Sequence, residues 1–520
     1  MGTPEASAVE GDGGPRPPAR SAGTRSDWLV GLLLAGLGPF ARLVQVLQTH
    51  QGEIRSPSAL LLVAVLSGGA LVLATVVVCR RSSRRPTSVG GGLAVAGLLF
   101  FSADLFGAHP LLRLVLSLLA MGLAAAVVSA ILTRPALAVV TTGALVLYAS
   151  LFGLSYVGWR VDHRLPPLGP VAERAAPMPN VYYFALGAFA RDDVARHLSS
   201  RDDPTAFHGA LAAEGFTVDR IATANYQQHG QSVASTLEQR LLIDDSTPPD
   251  RVLDDLSPSL QGANRTVEWF RSQGYRYVQT DQPQVEGGAC DPNRADVCLP
   301  SRPDGVVDLP GTLRVVVDRT PAGPLLSGRR TAPPELLPTD VVDAVLDRGL
   351  VGAERPSFVV AQIIPPHPPY VRGAGCEAIE PVGSIAEGWA DYHSSLYIDQ
   401  LRCVRADLAL AVKRLVAADP TAIIVAQSDT GPAFELKFGA PVVDLTAQMA
   451  RNRFGAFRAW RLPVQCRTRD ERASSLVNTF AVVQACLRDE PPKLLEARSY
   501  LVWFASTKVE PLPTGILYPG

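Results

Sequence analysis

Five apolar segments crowd the first third of the chain, near residues 28–46, 57–79, 90–107, 110–132 and 136–158. A helix needs about 20 apolar residues to cross the hydrocarbon core of a bilayer, and each segment comes close. No soluble core asks for so many consecutive runs of this kind, so the pattern predicts five membrane-spanning helices over 28–158. The third run is interrupted by Asp104, which is costly at mid-bilayer and is therefore expected near the interface. Residues 1–27 are rich in Gly, Pro, Ala and Arg without apolar periodicity and read as a disordered tail. They are not a signal peptide, because no small-residue cleavage site follows a short apolar core.

Arginines orient the spans. Arg16, Arg20 and Arg25 precede the first, Arg80, Arg81, Arg84 and Arg85 follow the second, and Arg134 lies between the fourth and fifth. All fall on one side, which the positive-inside rule makes cytoplasmic. An odd number of spans then places the rest of the chain outside: a multi-pass protein of the plasma membrane, partnered by the lipid bilayer. The apolar excess of this region explains a mean hydropathy of +0.15. The 520 residues carry 48 basic and 49 acidic side chains, a balance with no footprint for nucleic acid.

Cysteine usage agrees with this topology. Cys79 ends the second span, whereas Cys290, Cys298, Cys376, Cys403, Cys466 and Cys486 all lie in the outside part. An even set in an oxidising compartment suggests disulfides, and pairing neighbours gives Cys290–Cys298, Cys376–Cys403 and Cys466–Cys486. No CxxC pair is present to favour metal binding.

A Pro-rich linker, 159–178, leads into an outside domain over 179–520 in which strand and helix patterns alternate. Strands are expected at 180–189, 216–223, 275–280, 356–365 and 422–428. Helices are expected at 191–198, 206–215, 265–274, 338–350 and 390–418. Helices between apolar strands predict an α/β domain, a mostly parallel sheet covered on both faces, with ligands beyond the carboxyl ends of its strands. Three such ends stand out: Leu186-Gly187, the PPHPPYV turn with His367, and Asp429-Thr430-Gly431. The triplet DTG is also the signature of pepsin-like proteases, but those need two such aspartates and an all-β frame, and no second DTG or DSG occurs. A fourth cluster, Asn225, His229, Ser232, Ser235 and Thr236, crowds the start of an expected helix, where either anion binding or ordinary capping would use it.

The stretches PNVYYFALGAFARDDV (179–194), ANYQQHGQSVASTL (224–237), PPHPPYV (365–371), YIDQLRCV (397–404), AQSDTGPAF (426–434), NRFGAFRAWRLP (452–463), SLVNTFAVVQACL (475–487) and LLEARSYLVWF (494–504) together resemble, in order, the membrane-anchored sulfatase-like members of the alkaline phosphatase superfamily. That group includes lipoteichoic acid synthase-like phosphotransferases. The resemblance implies a sulfatase-like fold in the bacterial cell envelope and, for active members, a divalent cation (Mn, Zn, Mg or Ca) beside a hydroxyl nucleophile. This chain departs from the pattern at each catalytic motif. Where active members carry a metal-binding aspartate, Leu186-Gly187 stands, with Gly187 at the ligand position. The nucleophile position aligns with His229. The Asp-His metal pair is reduced to Asp429 with Thr430, while His367 remains.

A phosphate or sulfate ester needs a nucleophile held against one or two cations, and a lone carboxylate holds a divalent ion weakly. Two readings follow. The first is a pseudoenzyme without cofactor that binds an envelope glycan, anionic in character, or a membrane-protein partner, with His367 and Asn225 as candidate anion contacts. The second is an active hydrolase or phosphotransferase on envelope polymers or lipids with altered ligands. In that case Asp429 holds the metal, His229 or Ser232 acts as nucleophile, or Asp192 or Asp193 shifts into the site.

Overall fold

The computed structural model describes residues 24–49, 57–82, 84–102, 110–132, 135–162, 165–170, 178–244, 246, 256–282, 288–291, 294–299, 316–317, 319–323, 336–383, 387–436, 444–466, 470–502 and 509–518. Asp104, Arg134, most of residues 1–27 and most of residues 281–335 lie outside them. The chain divides into two compact units, 1–157 with 307–330, and 158–306 with 331–520.

The first unit holds helices α1 (Arg25–Thr49), α2 (Pro57–Arg81), α3 (Pro86–Phe100), α4 (Pro110–Ile131) and α5 (Pro135–Asp162). Each expected segment carries a helix, and among the described residues four helices are long and apolar enough to cross a membrane. The exception is α3, which has 15 residues. At 1.5 Å per residue it is about 22 Å long, short of the roughly 30 Å hydrocarbon core. It starts at Pro86, four residues before the expected segment, and is largely buried against α1 and α4. Glycine permits that burial: a Cβ on Gly90 would come within 2.0 Å of the Gly31 carbonyl oxygen, and one on Gly38 within 2.3 Å of the Ala94 oxygen. By contrast, leucines of α2, α4 and α5 such as Leu66, Leu123 and Leu154 are exposed. Those faces suit lipid, because no water-facing helix is apolar all round.

The second unit is built on a seven-stranded sheet. Its strands in chain order are β1 (Val181–Leu186), β2 (Thr217–Asp219), β3 (Arg276–Thr280), β4 (Val297–Leu299), β5 (Ser357–Ile363), β8 (Ile423–Ser428) and β9 (Arg458–Arg461), with a separate hairpin of β6 (Tyr370–Arg372) and β7 (Ala378–Val382) between β5 and β8. Spatially they run β2-β9-β8-β1-β5-β3-β4. The five strands from β8 to β4 are parallel, as the alternating pattern predicts, but β9 is antiparallel to both β8 and β2. The sheet is therefore mixed at one edge. That edge includes β9, a short strand inside the NRFGAFRAWRLP stretch, reached from β8 through the helix Ala447–Phe454.

Strands β1, β5 and β8 are buried along their whole length, which is why they read as continuous apolar runs. Tyr182, Phe184 and Leu186 pack on one face with α6 (Asp192–Leu198), α7 (Thr205–Ala213) and the helices Pro338–Asp347 and Ser394–Ala418. Val181, Tyr183 and Ala185 pack on the other with α8 (His229–Glu238) and the helices Arg265–Ser272 and Thr479–Arg488. The expected strand at 216–223 shrinks to Thr217–Asp219. All three cysteine pairs are bonded as expected, Cys290–Cys298, Cys376–Cys403 and Cys466–Cys486.

Candidate functional site

The central strands β8, β1 and β5 end together, since Ser428 pairs with Leu186 and Leu186 with Ile363. The next residues are Asp429, Gly187 and Ile364. Three of the sequence-selected positions thus meet at one edge, and α8 brings a fourth, His229.

Asp429 is the hub. It is 2 % exposed. Its Oδ1 accepts from the Ala188 amide at 2.6 Å and from the Thr430 amide at 2.6 Å. Its Oδ2 lies 2.7 Å from His229 Nδ1. Burial alone would push this carboxyl up, but the His229 hydrogen bond and charge, the Ala188 amide and the Arg453 field outweigh it and hold it below the usual carboxylate range. An ionised Asp429 makes Nδ1–H the donor. The Nε2 of His229 is shielded from solvent although its ring is partly accessible. Thr430 meets the carboxylate through its amide; its hydroxyl is 3.4 Å from Oδ1.

The loop after β1 delivers the Ala188 amide by an unusual backbone. Ala188 has φ 53, the left-handed region that an alanine adopts at a cost of about 1 kcal/mol or more. Tyr397, from the helix Ser394–Ala418, holds it there: its hydroxyl donates to the Ala188 carbonyl at 2.8 Å and accepts from the Ala190 amide at 3.0 Å.

Gly187 is enclosed by main chain. Its amide donates to Ile363 O at 2.7 Å, and a Cβ added there would stand 2.3 Å from Ile364 O and 3.3 Å from His367 Cβ. The space in which a ligand side chain would start is taken by the 364–367 turn. His367 is thereby placed beside Gly187. Its amide donates to Ile364 O at 3.0 Å, its Nδ1 is spent on Pro368 O at 2.7 Å, and its ring meets Trp389 edge-on at 5.0 Å. Burial pushes its imidazole down to about 4, so it is neutral at physiological pH.

Other candidates lie elsewhere or face inward. Asn225 is fully buried and cross-links the chain: its side-chain NH2 donates to Ser475 Oγ at 2.8 Å and Arg498 O at 2.7 Å, and its oxygen accepts from the Val477 amide at 2.9 Å. Ser232, one helical turn beyond His229, is 1 % exposed, and its Oγ has no hydrogen-bond partner among the described residues. Asp193 pairs with Arg191 at 2.6 Å and Asp192 with His208 at 3.0 Å.

One residue the sequence reading passed over is Arg453. It is 5 % exposed; its Nε donates to Gln227 O at 2.7 Å, its Nη2 to the same oxygen, and its Nη1 to Gly431 O at 2.6 Å. Burial pushes this guanidinium down to about 10, with the Asp429 charge acting in the opposite sense, so it stays charged at neutral pH. The only sequence signal was an arginine inside the NRFGAFRAWRLP stretch, where nothing separates a buried cation from a surface one.

For a divalent cation this donor set is poor. Both Asp429 oxygens are engaged, Gly187 offers no donor and no room for one, and Thr430 offers only a hydroxyl, itself directed at Asp429 Oδ1. Among the described residues no three His, Cys, Asp or Glu side chains converge so as to hold a metal ion.

No protein-family profile matches the chain, and no curated protein does. Solved structures similar to it include the C-terminal periplasmic domain of EcEptC from Escherichia coli, at 13% identity over 65% of this chain and 93% of that chain, with a TM-score of 0.38. Another is the integral membrane protein lipooligosaccharide phosphoethanolamine transferase A from Neisseria meningitidis, at 12% identity over 89% of this chain and 95% of that chain, TM-score 0.40. A third is the phosphonate monoester hydrolase of Agrobacterium radiobacter, at 12% identity, 63% and 80% coverage, TM-score 0.35. Identities and scores this low carry neither chemistry nor ligand to this chain.

Proposed function

We propose that the chain is a membrane-anchored, sulfatase-like protein of the cell envelope that works without a catalytic metal: a pseudoenzyme binding an envelope partner or an anionic glycan. In this reading the N-terminus is cytoplasmic and the α/β domain faces outward. The carrying observation is the engagement of Asp429, whose two oxygens are used by His229 and by the amides of Ala188 and Thr430. A ligand carboxylate must offer lone pairs to the cation, and here doing so means breaking hydrogen bonds that hold three segments together. The nucleophile positions support the same reading, since Ser232 Oγ and His229 Nε2 are both shielded from solvent. The experiment is to purify the full-length protein in detergent and measure bound Mn, Zn, Mg and Ca together with turnover of nitrophenyl phosphate and nitrophenyl sulfate. No stoichiometric metal and no turnover above background are expected. Bound metal that is lost in Asp429→Ala, with turnover, would instead establish an active hydrolase or phosphotransferase with altered ligands.

A further inference from the structure

We infer that Arg453 is the resident cation of this site, a positioning residue whose guanidinium binds together the chain segments that a metal ion would otherwise bridge. The inference rests on the metal-free reading and adds the group that takes the ion's place.

Three segments surround Asp429: the loop 187–190 after β1, residues 225–229 leading into α8, and the turn 429–431 after β8. Left to themselves, three loop ends around a buried carboxylate are a costly arrangement, because the negative charge lacks water and the backbone groups lack partners. Asp429 ties the first segment to the third through the Ala188 amide, and the second through His229. Arg453 adds a second link between the second and third segments, through the main chain. Two of its nitrogens grip Gln227 O, just before α8, and a third grips Gly431 O. Its own carbonyl accepts from the Gly431 amide at 2.8 Å, so residue 431 is held by both main chain and side chain of Arg453. That approach requires glycine at 431, where a Cβ would stand 2.0 Å from Asn452 O.

The charge bookkeeping points the same way. Arg453 is buried, yet its hydrogen bonds end on carbonyls rather than on a carboxylate. A buried cation persists only when a nearby anion offsets its lost hydration, and the carboxylate whose field acts on it is that of Asp429. The planar fork of arginine sets two donors on Gln227 O and a third on Gly431 O in one fixed geometry, whereas the compact ammonium of lysine has no such rigid spread of donors. A divalent ion placed beside Asp429 would share the site with this like charge, whose field already reaches Asp429, so the arrangement also disfavours metal entry.

The test uses the full-length protein in detergent micelles and reads the thermal midpoint of wild type, Arg453→Ala, Arg453→Lys and the double variant Arg453→Ala/Asp429→Asn. Each is measured with and without low-millimolar guanidinium chloride, and with MnCl2 or ZnCl2. Arg453→Ala should lower the midpoint by roughly 5 °C or more. Guanidinium should enter the vacated space and restore part of that loss, by mass action on the folded state. It should do nothing for wild type or for the double variant, which lacks the anion. Lysine should fold with an intermediate midpoint, since it keeps the charge and loses the fork, and it serves as the readout should Arg453→Ala not accumulate. A wild-type midpoint in Arg453→Ala or Arg453→Lys, or equal guanidinium rescue of the single and double variants, would overturn the inference. Metal bound to wild type would instead count against the metal-free reading, so the two failures are separable.

Discussion

His229 and Asp429 stand 200 residues apart in sequence and share a 2.7 Å hydrogen bond, from the first residue of α8 to the first residue beyond β8. The carboxylate is buried and the imidazole half-buried, so the two partners differ in what their loss leaves behind. Asp429→Ala strands the Ala188 and Thr430 amides and leaves Arg453 without an opposing charge, for a cost of about 3–5 kcal/mol. His229→Ala leaves the carboxylate with two amide donors and should cost less, about 1–3 kcal/mol. Urea titrations of both variants check the order. The pair also has an acid limit. A carboxyl held below its ordinary range in the folded state contributes stability above the unfolded value near 4, and that stability is lost as pH falls through the lower folded value.

Gly187 allows a sharper prediction. An aspartate can be placed there, alone or with His229→Thr and Thr430→His, to offer the site a set of metal-ligand side chains. In space its Cβ meets Ile364 O at 2.3 Å, a backbone atom that cannot swing aside. Gly187→Asp should therefore destabilise the protein by about 2–4 kcal/mol, the range of an overpacked buried site, and the triple variant should gain no metal. Calorimetry and metal analysis of the two variants check this.

His367 predicts a second pH window. Its folded-state value near 4 lies below the ordinary 6.5 of histidine, so the unfolded chain takes up a proton that the folded chain refuses. Stability should be complete above about pH 6.5 and decline as pH falls toward 4, by about 2–3 kcal/mol over the window. His367→Phe should flatten that slope, as read from thermal midpoints across the range.

The Cys376–Cys403 bridge spans 27 residues, linking the β6–β7 hairpin to the helix Ser394–Ala418. By the chain-entropy argument its removal should cost about 3 kcal/mol. That helix also carries Tyr397, which holds Ala188. Cys376→Ser/Cys403→Ser should thus lower stability and loosen hydrogen-exchange protection in the 187–190 loop, measurable by mass spectrometry.

Much of this was legible in the chain. β1, β5 and β8 announce themselves because strands buried on both faces are apolar throughout, and the helices between them forced their parallel order. Cysteine neighbours paired as spacing suggested. That Gly187, Asp429 and the His367 turn would share one strand edge was legible from the apolar runs that end at them. Less legible was α3, whose apolar composition hides that Gly31, Gly38 and Gly90 make it an internal, shortened helix. The clamp was not legible at all. Arg453 is marked by burial and by one carbonyl more than 200 residues away, at Gln227, and neither leaves a local signature. Asn225 misled for a related reason: an amide beside a helix start looks like an anion contact until its three partners, at 475, 477 and 498, are seen.

Metal content of the full-length protein tests the central claim most directly. Protein purified without chelator, dialysed against micromolar Mn, Zn, Mg and Ca, and analysed by inductively coupled plasma mass spectrometry should carry well under one equivalent of any ion, with an unchanged thermal midpoint. About one equivalent of a divalent metal, absent from Asp429→Ala and raising the midpoint of wild type, would contradict the account.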